Sequence, residues 1–121
     1  MISKKNLSII IVSFASDDVI FDCIETIDKE IDVIVIENSN NIKLKKKLEN
    51  KFKNVTCFLN NLNSGMGAGN NYGLSKINTE FALILNPDVL LERSTLSEIY
   101  SVSKEIDKFS IIAPIHSNKD Y

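Results

Sequence analysis

Asp88 closes the run Phe81-Ala-Leu-Ile-Leu-Asn-Pro-Asp88, and the chemistry open to this run is that of one carboxylate held rigidly beside an amide. Pro87 has no amide hydrogen and biases Asn86 away from helical torsions, so the apolar run stops and Asp88 is presented on a stiff turn. A carboxylate so placed suits a divalent cation carrying a diphosphate, because hard cations take oxygen ligands and are often held by one or two protein carboxylates plus phosphates. The same tripeptide is also an ordinary turn linking a strand to a helix, since Asn, Pro and Asp are all favoured turn residues.

A second concentration of special residues is Asn60 to Gly73, which contains all four glycines of the chain. Clustered glycine marks backbone that must take positive torsions or approach something closely. The spacing fails the Gly-x-Gly-x-x-Gly dinucleotide fingerprint, because the closing position falls on Asn70 or Tyr72, and the stretch follows the third strand instead of the first. No Gly-Lys-Ser or Gly-Lys-Thr occurs, which excludes a Walker loop. A receiver domain would need a phosphoryl-accepting aspartate at the end of the third strand, where this chain has Asn60 and Asn61.

The elements that must position these residues are legible from hydrophobic period. Leu7 to Phe14 is a β-branched run and reads as a buried first strand. Ser16, Asp17 and Asp18 supply an N-cap and first-turn acids for a helix whose apolar residues Val19, Ile20, Cys23, Ile24 and Ile27 recur at helical spacing. Ile31 to Ile36 is a second strand, ending in the polar turn Glu37 to Asn40. Leu44, Leu48 and Phe52 define a helix over about 41–53, and Val55 to Leu59 a third strand. A helix starting in the glycine stretch is expected to run to about Ile77. Phe81 to Leu85 is a fourth strand, expected to be buried on both faces. Thr95 and Glu98 have capping-box spacing ahead of a last helix with Leu96, Ile99, Tyr100 and Ile106 on one face, and Phe109 to Ile112 reads as a final short strand. Alternation of this kind predicts a three-layer α/β/α domain with a mostly parallel sheet. The turns after strands one, two and four and the glycine stretch then share one edge, where open sheets bind ligands.

Composition sets the bounds. The 121 residues make one domain, with 44% hydrophobic and 25% charged residues, ordinary values for a soluble protein. A net charge of -2 and pI near 5.4 argue against a nucleic-acid partner. Cys23 and Cys57 fall inside apolar patterns and read as buried reduced thiols, with the cytoplasm as the expected compartment and a bridge between them as the alternative. His116 stands alone, without a partner at metal-ligand spacing. The lysines of the second helix are read as a solvated face, with an anionic membrane surface at the inner face of the cell membrane as the alternative. An incomplete sheet edge would favour a homodimer.

Four pieces in order, Leu7-Ser-Ile-Ile-Ile-Val-Ser-Phe14, Val33-Ile-Val-Ile-Glu-Asn-Ser39, Asn63-x-Gly-Met-Gly-Ala-Gly-Asn-Asn-x-Gly-Leu74 and Leu85-Asn-Pro-Asp88, resemble family 2 glycosyltransferases, the rhamnosyltransferase-like branch especially, from Leu7 to about Pro114. The resemblance implies a GT-A, Rossmann-like nucleotide-sugar-binding domain and an inverting transferase. Its donor would be a nucleotide-diphosphate sugar, its acceptor a saccharide or lipid-linked molecule and its cofactor magnesium or manganese. It implies that Asp88 holds the metal, that Asn86 bonds the ribose or sugar, and that Glu37, with Asn38 beside it, contacts the base or ribose. Ser13 and Phe14 would line the base pocket, and Asn63, Gly65 and Asn71 would shape the floor of the site. Ala15 stands where the family generally has asparagine, Glu37 where it usually has aspartate, and Asn86 in place of the motif's first aspartate. No general base is found: Glu92, Glu98, Glu105 and Asp107 belong to the last turn and helix, and Asp120 to the tail. The chain is therefore expected to be the donor-binding portion, a truncated or naturally short relative without the acceptor-binding half. A non-catalytic nucleotide-sugar-binding module and a degenerate interaction domain are the alternatives.

Overall fold

β1 (Leu7–Ser13) is the central strand, and all seven of its residues are buried. The computed structural model describes residues 1–115, so that His116 and Asp120 lie outside the described residues. β1 is followed by α1 (Asp17–Glu25), β2 (Asp32–Glu37), α2 (Ile42–Lys51), β3 (Val55–Leu59), α3 (Gly65–Leu74), β4 (Phe81–Leu85) and α4 (Thr95–Glu105). The strands form a four-stranded sheet in the order β3-β2-β1-β4, and every pairing is parallel. The three-layer α/β/α expectation is met.

Side-chain alternation along β1 and β2 divides the core. Ile9, Ile11, Val33 and Val35 face Ile20, Cys23 and Ile24 of α1 and Leu44 and Leu48 of α2, with Leu96, Ile99 and Tyr100 of α4 packed at the margin. Ile10, Val12, Ile34 and Ile36 face the other way, toward Tyr72 of α3. Each isoleucine fully withdrawn from water contributes roughly 2–3 kcal/mol, which is why a β-branched run at the centre of the sheet dominates the fold. α3 sits close to β1 because two of its glycines face it. A Cβ on Gly69 would lie 2.8 Å from a Val12 methyl, and one on Gly73 would lie 2.5 Å from the Ile10 Cγ2 methyl.

Several local expectations are corrected. The fourth strand is not buried on both faces: β4 is the sheet edge beyond β1, only Leu85 is buried, and Ile84 is 45% exposed. Phe109 to Ile112 forms no strand; Phe109 stacks on Phe81 at 5.8 Å and Ile112 packs half-buried against the core, while Ile111 points to solvent, so the segment half-buries two side chains without a ladder. The last helix begins one residue after Ser94, which makes Thr95 its first helical residue instead of its cap, and no side chain closes a capping box there. Ser16 occupies the N-cap position of α1, but its hydroxyl donates to the Phe14 carbonyl. The glycine-stretch helix ends at Leu74, short of Ile77. α2, by contrast, is capped as its sequence indicates, with Asn41 Oδ1 accepting from the Leu44 amide at 3.0 Å.

The two sheet edges differ. On β3, Lys45 Nζ donates to the Cys57 carbonyl and Glu49 Oε2 accepts from the Cys57 amide at 3.1 Å, the two side chains being paired at 2.8 Å. An ion pair from α2 thus covers part of one strand edge. Both cysteines are free and buried. Burial pushes the Cys57 thiol up to about 12, and burial, with a smaller contribution from the Asp88 charge, pushes Cys23 to about 11. No helix among the described residues is long and apolar enough to cross a membrane.

Candidate active site at the carboxyl rim

Parallel pairing brings the carboxyl ends of all four strands to one rim. Ser13 stands opposite Glu37, Glu37 opposite Leu59, and Leu85 opposite Ile11. The ladder continues into the loops, with the Asn38 amide donating to the Ser13 carbonyl at 2.8 Å and the Asn60 amide to the Glu37 carbonyl at 2.9 Å. Because the chain runs outward from β1 through β2 to β3 and then crosses to the other side of β1, a topological switch point lies between β1 and β4. The loop after β1 and the Asn86-Pro87-Asp88 turn flank that crevice. The turn is closed by the Val89 amide donating to the Asn86 carbonyl at 3.2 Å, and the Cys23 thiol supports the same carbonyl from α1 at 3.6 Å.

The residues expected at the site separate into three groups. Phe14, Asn63, Gly65, Asn86 and Asp88 are exposed on the rim. Phe14 is 54% exposed and offers a ring face beside the crevice. Asn63 Oδ1 accepts from the Gly65 amide at 3.3 Å, and Gly65 has φ of 85°, the positive torsion that its residue type permits.

Ser13, Glu37 and Asn38 form the second group, present at the rim but turned inward. Ser13 is wholly buried, and its hydroxyl has no hydrogen-bond partner. Asn38 is 3% exposed, its Nδ2 donating to the Gly65 carbonyl at 3.4 Å and its Oδ1 accepting from Asn60 Nδ2 at 3.0 Å. Glu37 is 0% exposed: Oε1 accepts from the Ser39 hydroxyl at 2.5 Å, and Oε2 from the Ser39 and Asn41 amides at 3.1 and 2.7 Å. In this arrangement Glu37 is withdrawn from the surface and its carboxylate accepts three hydrogen bonds from within the fold.

Asn71 alone forms the third group. It lies two residues from Gly69 and two from Gly73, which face β1, and at about 100° per residue this puts it on the outer, exposed side of α3. Its neighbour Asn70 is the one turned in, with a buried Oδ1 that lacks a partner. Sequence reasoning missed Asn70, although helical phase relative to the two glycines would have singled it out. It also passed over Asn60, whose Nδ2 joins Asn38 and, at 3.2 Å, the Ser64 hydroxyl.

Among the described residues no three His, Cys, Asp or Glu side chains group closely enough to hold a metal by themselves. Asp88, exposed on its turn, is a one-carboxylate donor; such a set fits a cation that brings its remaining ligands as phosphate oxygens and water, the habit of magnesium. Glu92, Glu98, Glu105 and Asp107 lie on the β4–α4 connector, on α4 and just past it, so none of these four stands among the rim loops after β1, β2 and β3. Two clefts of about 360 and 370 Å³ open elsewhere, and neither is lined by a rim residue. The rim itself is an open shelf.

Comparison with known proteins bears on this shelf. The family described as Glycosyl transferase family 2 matches residues 8–120. The low-salt glycan biosynthesis hexosyltransferase Agl10 of Haloferax volcanii is 29% identical over 119 residues, covering 95% of this chain and 38% of that protein. Among solved structures, S. aureus TarS 1-349 is similar with a TM-score of 0.68 at 21% identity, over 83% of this chain and 32% of that one. The chain thus spans well under half the length of either relative.

Proposed function

The chain belongs to glycosyl transferase family 2, and we propose that it supplies the donor-binding portion of an inverting transferase that moves a sugar from a nucleotide diphosphate to a saccharide or lipid-linked acceptor. Its fold is the Rossmann-like GT-A type. What supports the reading is that Phe14 and the Asn86–Asp88 turn follow the adjacent strands β1 and β4 on the carboxyl rim, while Gly65 is tied to the β2 end of the same rim through Asn38.

In this reading the Phe14 ring stacks on the base, which presents a flat apolar surface to it. Asn63 and the start of α3 border the nucleotide, and Asn86 bonds ribose or sugar hydroxyls, an amide being able both to donate and to accept. Asp88 holds magnesium or manganese against the diphosphate. When bound, that ion neutralises charge on the departing diphosphate and so favours cleavage of the sugar–phosphate bond. The proposed setting is the cytoplasm, in polysaccharide assembly, with the lysine-bearing face of α2 available to an anionic membrane.

A narrower reading for this chain taken alone is donor binding without completed transfer, supported by the placement of Glu92, Glu98, Glu105 and Asp107 on the β4–α4 connector and α4 or just past it. Calorimetric titration of UDP, GDP and dTDP with and without magnesium or manganese tests both. Metal-dependent binding that drops at least roughly tenfold in Asp88→Ala, about 1.4 kcal/mol, is the expected result. A folded chain that binds none of them would overturn the proposal, and sugar transfer by this chain alone would overturn the narrower reading.

A further inference from the structure

Asn40 adopts φ of 56°, a left-handed torsion that costs a non-glycine residue free energy, in the short turn between β2 and α2. The amides on either side of it, Ser39 and Asn41, both donate to Glu37 Oε2, while the Ser39 hydroxyl donates to Oε1. One buried carboxylate therefore holds the left-handed residue from both sides. The charge is tolerated there because three donors satisfy it and because it sits beside the amino end of α2, where helix amides favour an anion.

What the turn carries matters for the rim. Asn41 caps α2 through Leu44 and, through Nδ2, reaches Asp17 Oδ2 at the start of α1 at 3.0 Å. Asn38, at the other end of the turn, is fixed to β1 by its amide and spans to Asn60 and to the Gly65 carbonyl. The amino ends of α1 and α2 and the positive-φ start of α3 are thus tied to one four-residue segment.

We propose that Glu37 is a positioning residue: its carboxylate holds the β2–α2 turn and, through Asn38, sets the opening of α3, and it makes no contact with the nucleotide. The inference rests on the donor-binding reading for its functional consequence, but its structural part can be tested without ligand. A direct contact to the base would make the carboxylate choose among bases, and one to the ribose would be weakened in Glu37→Gln while the turn amides stay protected. A positioning role affects all bases alike.

The test compares Glu37→Gln and Glu37→Ala in the intact chain by amide hydrogen exchange at Ser39, Asn41 and Gly65, and by titration of UDP, GDP and dTDP in magnesium. Glutamine keeps an oxygen for the two amides and turns its NH₂ toward the Ser39 hydroxyl, which can accept. Glu37→Gln is therefore expected to retain protection at all three amides and to bind each nucleotide within about twofold of the parent, with the order of preference unchanged. Glu37→Ala is expected to lose protection at Ser39, Asn41 and Gly65 and to weaken every nucleotide by a similar factor, roughly tenfold or more. If Glu37→Ala does not fold, Glu37→Asp replaces it, since the shorter arm cannot span to Asn41 and should lose that amide's protection first.

The proposal is overturned if Glu37→Gln loses one nucleotide selectively, or weakens all of them, while the three amides stay protected. Unchanged protection in Glu37→Ala overturns it too. Should the parent chain bind no nucleotide, the donor-binding reading fails, and the exchange data alone decide whether Glu37 holds the turn.

Discussion

At the residue scale, the glycines separate two physical situations that look alike in sequence. Gly73 faces Ile10 so closely that a methyl would stand 2.5 Å from a side-chain carbon, whereas Gly67 has nothing within 4 Å. Gly73→Ala is expected to cost about 1–3 kcal/mol through overpacking. Gly67→Ala should stabilise by about 0.5–1 kcal/mol, because it removes backbone freedom inside a helix and meets open space. Urea unfolding of the two variants checks both, and a destabilised Gly67→Ala would show that its backbone is needed for something other than packing. Ala15 makes a related case. Its φ of 50° is one that asparagine accepts more readily, so Ala15→Asn should stabilise by roughly 0.5–1 kcal/mol, read in the same experiment. The sequence marked this position as a departure from the family, and the torsion supplies a conformational consequence beyond the lost polar group.

At the element scale, α2 serves the sheet as well as its own hydrophobic stripe. Leu44 and Leu48 fill the core, while Lys45 and Glu49 turn to the backbone of Cys57. Glu49→Ala would leave the Cys57 amide without its acceptor, and is expected to cost about 1–2 kcal/mol and to raise the tendency of the β3 edge to recruit other strands. Thermal unfolding and light scattering after heating measure the two effects; a variant as stable and as soluble as the parent would deny the pair this role. Periodicity found α1, α2, α4 and the first four strands, since each has a strong apolar pattern, whereas α3 was signalled only by the glycine stretch and buries glycines in place of an apolar stripe. It could not tell that Phe81 to Leu85 lies at an edge or that Phe109 to Ile112 pairs with nothing, because an apolar run records burial and not which neighbour provides it.

For the whole molecule, the buried thiols link stability to pH. In the unfolded chain Cys57 ionises near the ordinary thiol value of 9.0, but in the folded protein burial makes it keep its proton to about 12. Between those values the unfolded state has released a proton that the native state retains, so stability falls as pH rises, by up to about 1.4 kcal/mol per pH unit for one thiol. Denaturation measured from pH 8 to pH 11 should accordingly show a steeper alkaline decline for the parent than for Cys57→Ala; equal slopes would remove the thiol from the account. What the amino-acid order determined by itself was the alternation of strands and helices, the rigid Asn86-Pro87-Asp88 turn and the family, because these depend on local period, on proline's fixed torsion and on motifs in register. The tertiary structure decided which polar residues face the shelf. Phe14 and Asp88 look outward, Glu37 and Asn38 are spent on hydrogen bonds within the fold, and Asn70 instead of Asn71 turns in. Those choices depend on helix phase against the glycines and on where buried donors find acceptors, neither of which is written in the spacing of the residues themselves.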